Sequence, residues 1–176
     1  MPAADAGLVR LAEDMVETMR NANGIGLAAN QVGILQRILV VDVGETSEEL
    51  RGMQPLVMVN PVLLREDGVW SMEEGCLSIP EIREEVVRAE EITVRYKNLA
   101  FEDREITVEG LLGRVILHEI DHLDGVLFLD YLGTVKQKLL KGRLNKIRKG
   151  EIDTSYPVVA AEGIMEGQKL NVKDQQ

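Results

Sequence analysis

The spacing of apolar and polar positions predicts a chain of mixed helices and strands. Apolar residues recur at helical spacing over residues 8–19, with acidic residues near the start and Arg20 near the end, which predicts an amphipathic helix. Residues 92–96 alternate between apolar and polar side chains, so they predict a half-buried strand, with residues 105–108 as its partner. Apolar runs bounded by turn residues predict further strands at residues 38–43, 56–59, 62–64 and 86–87, with a break at Asn60-Pro61.

The rest of the chain is predicted to contain two more helices, a loop and a tail. Apolar residues at helical spacing predict helices at residues 110–123 and 134–149. The apolar face of the second helix is expected to consist of Leu139, Leu140, Leu144 and Ile147. Residues 71–80 show little periodicity and are predicted to form a loop. Residues 1–150 form the expected domain, and residues 151–176 form a tail that is poorly ordered beyond its central YPVVAA patch.

The composition indicates one globular domain without disulfides. With 176 residues, of which 45% are hydrophobic, the chain can bury its own core, and no apolar run approaches the length of a membrane span. One cysteine cannot form an internal disulfide, and the acidic N-terminus lacks the apolar core of a signal peptide, so a cytoplasmic protein is expected. The net charge of −10 argues against a general nucleic-acid binder.

Two histidines indicate a metal site on the helix at residues 110–123. His118 and His122 are the only histidines in the chain, and their separation places them on one face of a helix, where they can share a metal ion. Glu119 follows the first histidine, where it can handle a proton on a metal-bound water. The alternative is a buried helix whose histidines only form hydrogen bonds, but incidental histidines would have no reason to fall at ligand spacing. Cys76 is either a small buried apolar residue or a soft metal ligand.

The glycine-rich segment GIGLAANQ has more than one interpretation. Gly24, Gly26 and Ala29 match the letters of a dinucleotide-binding fingerprint. That motif follows a strand and opens a helix, whereas this segment follows a helix and leads into a strand, so nucleotide binding is not favoured. The segment is expected either to bring backbone close to a ligand, with the amide of Gln31 nearby, or to form a tight turn with a surface glutamine.

In this order, GIGLAANQ, EGCLS and HEIDH resemble the motifs of the peptide deformylase family, and the resemblance extends from about residue 8 to the helix at 134–149. It implies an α+β fold in which antiparallel β-sheets pack around a central HExxH helix, with a C-terminal helix. It also implies a metal-dependent hydrolase that removes the formyl group from the N-terminal formylmethionine of newly made polypeptides. One divalent metal ion is implied, Fe(II) in the native form, and Zn, Ni or Co would also bind.

The resemblance also assigns roles to residues of this chain. The implied metal ligands are Cys76, His118 and His122, and a metal-bound hydroxide attacks the formyl carbonyl. Glu119 is the implied general acid/base, and the side-chain amide of Gln31 and the backbone N–H of Leu77 stabilise the oxyanion.

The substrate contacts implied by the resemblance lie in the same motifs. The implied methionine pocket includes Ile25, Leu77, Leu111, Val115 and the stems of the two histidines. The substrate backbone is expected to pair in an extended form with the chain around Ile25, including Gly24 and Gly26, and with Gly75.

Two features depart from the family pattern. Leu117 precedes His118 where the family often has glutamine, which changes the hydrogen bonding around the ligands but not the ligation itself. The chain also begins close to its first long helix, where family members usually carry a further segment with a strand. A shortened variant or a truncated start is therefore expected, with more effect on stability than on chemistry.

Three other functions fit the sequence less well. A zincin-like metallopeptidase would share HEIDH, but no third His or Glu ligand is evident downstream, and EGCLS supplies a cysteine instead. A non-catalytic binding module would be expected to have lost a metal ligand, Glu119 or Gln31, whereas this chain has all of them. An RNA-binding protein would use the basic helix at 134–149, but the remainder of the chain is acidic and lacks an aromatic platform.

A cluster of positive charge near the C-terminus raises the question of partners. Residues 134–150 contain seven basic residues and no acidic one. The charges form either the solvated face of a docked helix or a surface that holds the enzyme near the ribosome, where formylated nascent chains emerge. Contacts with DNA or a membrane are not expected.

Overall fold

The computed structural model describes residues 5–48, 50–160 and 163–165. The helices are α1 Ala6–Asn21, α2 Gly110–Asp124 and α3 Thr134–Lys149, and short 3-10 helices occupy Ala29–Val32 and Phe128–Tyr131. The strands are β1 Gly26–Ala28, β2 Ile38–Val41, β3 Leu56–Asp67, β4 Trp70–Cys76, β5 Ile79–Arg88, β6 Glu91–Lys97, β7 Asp103–Glu109, β8 Val158–Ala160 and β9 Gly163–Met165. Within the described residues, no helix is long and apolar enough to cross a bilayer.

An antiparallel sheet lies between two helices. Its strand order is β1-β2-β3-β6-β7, while β4 and β5 form a separate hairpin. In β2, Leu39 and Val41 pack in the core that contains α2, whereas Ile38 and Val40 pack with α1. Because successive side chains of a strand point to opposite faces, and both faces are covered, β2 is apolar at every position. The predicted α+β fold, with antiparallel sheets, a central HExxH helix and a C-terminal helix, is confirmed.

Helix α2 is buried around most of its circumference. Ile116 and Ile120 belong to the core formed with β2, β3 and β6. His118, Glu119 and His122 are also buried, although they are polar. Burying such groups without compensation is unfavourable, so their presence in a core helix indicates a specific role.

The loop predicted at residues 71–80 is wrong, because most of it is strand. β4 pairs with β5 from Trp70 opposite Arg88 to Gly75 opposite Arg83, and β5 is far longer than the predicted strand at 86–87. The inward side of β4 holds Glu74 where an apolar residue would complete the alternation, and Arg88 occupies an inward position of β5. A buried ion pair between Glu74 and Arg88 stands where two strands usually make an apolar contact. The alternation of apolar and polar residues that predicts a strand is therefore interrupted there.

The predicted break at Asn60-Pro61 is also wrong, since β3 continues through both residues. The pairing of β3 with β6 shifts register between Val59 and Val62, and Asn60 has a φ of 51°. A bulge of this kind accommodates proline, whose missing N–H would otherwise interrupt the hydrogen-bonded ladder.

Helix α3 packs through a narrower apolar face than predicted. Leu140 is buried, and Leu144 and Ile147 pack against the same cluster, but Leu139 is 78% exposed. Residues 140, 144 and 147 fall on one side of a helix, while residue 139 is turned away from residue 140 by roughly 100°. The prediction that Leu139 belongs to the packed face is therefore wrong.

The predicted tail is partly described. Val158–Ala160, in the YPVVAA patch, pairs with Gly163–Met165 as a short hairpin. Residues 161–162 and 166–176 lie outside the described residues, and so does most of the region expected to be poorly ordered.

Candidate active site

A cavity of about 660 Å³ lies between β1, the β4–β5 hairpin, α2 and the segment that follows α3. It is lined by the sequence-predicted residues Gly24, Ile25, Gly26, Gln31, Gly75, Cys76, Leu77, Leu111, Val115, His118 and Glu119. His122 completes the group, because its Nε2 is 3.1 Å from Cys76 Sγ and 3.2 Å from His118 Nε2. Residues from three separate stretches of sequence therefore meet at one place.

Cys76, His118 and His122 are arranged as a metal-binding group would be. Their ligand atoms lie within 4.8 Å of one another. Ligands of a tetrahedral ion are separated by roughly 3.3 to 3.6 Å when metal–nitrogen and metal–sulfur bonds are about 2.1 and 2.3 Å. The separations of 3.1 and 3.2 Å from His122 Nε2 to the other two ligand atoms are close to these values. Two of the three ligand pairs are therefore already spaced as in a metal site, and the third pair, at no more than 4.8 Å, would draw closer around an ion.

The carboxylate of Glu74 orients His118. Oε2 of Glu74 lies 3.1 Å from Nδ1 of His118 and also accepts a hydrogen bond from Nη2 of Arg88 at 3.0 Å. With the proton on Nδ1, the lone pair of His118 is on Nε2, the atom that faces His122. Burial disfavours the charged form of Glu74, but hydrogen bonds from His118 and Arg88 outweigh burial and hold its pKa at about 2.

The protonation of the other ligands also fits a metal site. Burial, together with the nearby His118 and Arg88, lowers the pKa of His122 to about 4, so its imidazole is neutral and can donate a lone pair. Burial raises the pKa of the Cys76 thiol to about 12, against hydrogen bonding from the backbone of Ser78. A divalent cation beside this thiol would favour the thiolate, because its charge offsets the cost of burying an anion.

Glu119 is a buried carboxyl group directed into the same cavity. It is 3% exposed, and within the described residues its Oε2 has no hydrogen-bond partner. Burial raises the pKa of Glu119 to about 8, and the neighbouring backbone N–H of Ala28 offsets this only in part. A carboxyl group with a pKa near neutrality can both accept and release a proton at working pH.

Two glycines allow the backbone to approach this group closely. A Cβ at Gly26 would lie only 2.4 Å from Oε1 of Glu119, and one at Gly24 would lie 2.6 Å from Cδ1 of Leu77. Gly26 also begins β1, which is an edge strand of the sheet. An edge strand presents backbone N–H and C=O groups to which an extended peptide can be added.

The side-chain amide of Gln31 is fixed between β1 and the β4–β5 turn. Its Oε1 accepts a hydrogen bond from the backbone N–H of Ala28 at 2.8 Å. Its Nε2 donates to Oγ of Ser78 at 3.0 Å and lies 3.7 Å from Sγ of Cys76. The amide donor is therefore directed towards the candidate metal ligands.

A buried charge network behind the ligands was not predicted from the sequence. Oε1 of Glu74 accepts hydrogen bonds from Nε of Arg88 at 2.6 Å and from Nη1 of Arg114 at 2.7 Å. Arg88 also donates to Asp121, which accepts a hydrogen bond from the hydroxyl of Tyr131. Removing one partner of such a network leaves the others buried and unpaired, which is strongly destabilising. Glu74 lies in the motif EGCLS and Asp121 in HEIDH, so membership of these motifs was the only sign in the sequence that the two acids belong to the site.

The fold and the site together define a candidate metal-dependent hydrolase, in which two histidines of an HExxH helix meet a cysteine thiol beside a cavity lined by a buried carboxyl group. Comparison with known proteins gives the family. The model of the polypeptide deformylase family matches residues 2–138. The chain is 46% identical to the peptide deformylase of Salinibacter ruber over 162 residues, 88% of this chain and 83% of the relative. Identity to the peptide deformylase of Chlorobium phaeobacteroides is 45% over 159 residues, 90% of this chain and 85% of the relative.

Solved structures give the same result. The peptide deformylase of Thermus thermophilus superposes with a TM-score of 0.74 at 41% identity, covering 86% of this chain and 90% of that one. The Synechococcus elongatus enzyme, solved in complex with actinonin, superposes with a TM-score of 0.73 at 39% identity, covering 83% and 77% of the two chains. The chain therefore belongs to the peptide deformylase family.

Family membership confirms that the chain is an enzyme of the hydrolase class and that it removes the formyl group from polypeptides. The zincin-like alternative is not favoured. In the part of the chain that the structure describes, the third ligand-type atom that converges with the two histidines is the thiol of Cys76, not a histidine or a carboxylate.

Proposed function

We propose that Cys76, His118 and His122 hold one divalent metal ion and that the ion is Fe(II) in the native enzyme. The observation that carries this proposal is the convergence of these three ligands beside the buried carboxyl group of Glu119. One thiolate and two imidazoles form a borderline-soft donor set that suits Fe(II), and Zn, Ni or Co would also bind. An open position beside three protein ligands is typical of a catalytic metal.

The metal, when bound, supplies Lewis-acid activation of a water molecule near neutral pH. The carboxylate of Glu119 would take a proton from the water as the water oxygen adds to the formyl carbon. Glu119 then returns the proton to the amine nitrogen of the methionine as the carbon–nitrogen bond breaks. Formate and a free amino terminus are the products. Burial raises the pKa of Glu119, and a divalent cation nearby would favour its carboxylate, the form that accepts the proton.

Gln31 and Leu77 are the donors for the charge that develops on the formyl oxygen. Nε2 of Gln31 lies at the same side of the cavity as Cys76. Leu77 follows Cys76 directly, so its backbone N–H is adjacent to the ligand. Each such donor typically contributes about 10²–10³ in rate, because it meets the oxyanion more closely than the ground-state carbonyl.

The same cavity recognises the substrate mainly through its backbone. Ile25, Leu111 and Val115 supply apolar walls for the methionine side chain. Gly24–Gly26 and Gly75 offer backbone groups to an extended peptide, which suits an enzyme that accepts many different sequences. The proposed catalytic domain is residues 1–150, and the segment after α3 that lines the same cavity acts with it. The expected location is the cytoplasm, where nascent chains are made.

Replacing Gln31 by alanine should reduce kcat by about 10²-fold while KM changes little, because the oxyanion exists only after attack begins. Steady-state formate release from a formyl-methionyl peptide measures both constants. Gln36→Ala is a matched control, because Gln36 is exposed and lies outside the cavity. A change confined to KM would make Gln31 a ground-state substrate contact.

We further propose that the basic face of α3 docks the enzyme weakly on ribosomal RNA. Lys136 pairs with Glu84, and Arg143 donates a hydrogen bond to the carbonyl of Glu81, so these two basic side chains face β5. The other basic residues of the helix, all exposed, are Lys138, Lys141, Lys146, Arg148 and Lys149. Phosphate contacts of this kind raise local concentration without reading sequence, and they weaken with salt.

Changing Lys141, Lys146 and Lys149 to glutamate should reduce binding to ribosomes at low salt and leave activity on a short formylated peptide unchanged. Sedimentation with purified ribosomes at two salt concentrations measures the effect. The control variant changes Arg10, Arg51 and Arg95 to glutamate. These three arginines are exposed and lie outside α3, and the variant has the same change in net charge. Equal binding by the two variants would show that the face of α3 is only a solvated surface.

A further inference from the structure

The segment that follows α3 returns to the active-site cavity. Helix α3 ends at Lys149, and the next residue, Gly150, turns the chain back with a φ of 75°. Four successive residues, Asp153, Thr154, Ser155 and Tyr156, then line the cavity together with the metal-binding group. This segment lies in the region that the sequence indicated as a tail, so its presence at the site is a new observation.

Tyr156 is held in a defined position at the cavity. Its hydroxyl group donates a hydrogen bond to the backbone carbonyl of Leu77 at 2.9 Å. Thr154 is buried, and its Oγ1 donates to the carbonyl of Tyr156 at 2.7 Å, which closes a local turn. The segment is therefore braced internally and attached to the opposite element by a specific contact.

Leu77 lines the cavity directly after the candidate ligand Cys76. β4 ends at Cys76 and β5 begins at Ile79, so Leu77 and Ser78 form the turn of the hairpin. The side chain of Leu77 packs so closely on Gly24 that a Cβ there would clash. A turn residue lacks the regular ladder of a strand, and the hydrogen bond from Tyr156 restricts the peptide unit on its carboxyl side.

We propose that Tyr156 is a positioning residue of the active site, which acts by fixing Leu77, and that residues 153–156 are one wall of the substrate cavity. This inference rests on the proposed role of the Leu77 N–H as an oxyanion donor. The peptide units before and after Leu77 are rigid planes joined at one α-carbon, so holding the carbonyl limits the directions that the N–H can take. Donors that are fixed before the reaction stabilise the oxyanion without reorganisation.

The test compares Tyr156→Phe with the wild-type full chain, both loaded with the same metal. The substitution keeps the aromatic ring and removes only the hydroxyl group. It should lower kcat by about 3- to 10-fold, the effect of one neutral hydrogen bond, with little change in KM or melting temperature. Val159→Ala is the control, because Val159 lies three residues further along the chain in β8, is 79% exposed and does not line the cavity.

Amide hydrogen exchange at Leu77 and Ser78 provides a readout that does not depend on turnover or on the metal. It should be faster in Tyr156→Phe and unchanged in Val159→Ala. If wild type is active but Tyr156→Phe matches it in both kcat and exchange, the positioning role is overturned while the proposed function stands. A kcat that rises in Tyr156→Ala would mean that the segment obstructs the cavity, which also overturns the inference. Absence of formate release in wild type would overturn both.

Discussion

Replacing Glu119 by glutamine should leave the metal bound and lower turnover by about 10²–10⁴-fold. The carboxyl group is not one of the three converging ligands, so its loss does not remove a bond to the metal. Glutamine preserves the volume of a buried side chain but cannot accept and return a proton. The effect should therefore appear in kcat and not in metal content.

Two measurements on one preparation test this prediction for Glu119. Metal analysis after gel filtration should give the same metal-to-protein ratio in variant and wild type, and formate release should then be compared per bound metal. Near-normal release from a metal-loaded variant would remove Glu119 from the mechanism. Loss of metal in the variant would show that the carboxylate is needed for binding instead.

Replacing Cys76 by serine should weaken metal binding and abolish activity together. Serine offers a hard hydroxyl that does not ionise in the range where a metal-bound thiol does. Substitutions of groups that only support metal ligands commonly reduce affinity by about 10–100-fold, so loss of a ligand should exceed this. Because Cys76 is the only cysteine in the chain, no other thiol can replace it.

Competition with a chelator of known affinity measures the change for Cys76→Ser. The variant should lose its metal at chelator concentrations that wild type withstands, and added metal should restore little activity. Retention of both metal and turnover would leave Cys76 as a partly buried packing residue of the hairpin. The contrast with Glu119→Gln separates binding of the metal from handling of the proton.

Local patterns in the sequence accounted for much of the fold. The amphipathic repeat of α1, the alternation in β6 and the apolar repeat of α2 each reflect a single contact surface, so the period alone predicts the element. The turn at residues 77–78 and the strand β4 were missed, because Glu74 fills an inward position by pairing with Arg88 and Arg114. One charged residue on the inward side interrupts the apolar alternation that Trp70 and Met72 begin.

The sequence predicted those residues of the candidate site that lie in short contiguous motifs. GIGLAANQ, EGCLS and HEIDH contain the residues that converge at the cavity. Tyr156 could not be found in this way, because it is 79 residues from Leu77 and belongs to no motif. Its contact depends on the path of the chain after α3, which only the three-dimensional structure gives.

The most direct test of the account is release of formate by the Fe(II)-loaded full chain, prepared without oxygen, from a formyl-methionyl peptide. Formate and new amino termini should appear in equal amounts, enzyme stripped of metal should be inactive, and the same peptide without its formyl group should remain intact. Cleavage of an internal peptide bond in the unformylated peptide, or no formate from the metal-loaded enzyme, would contradict the account.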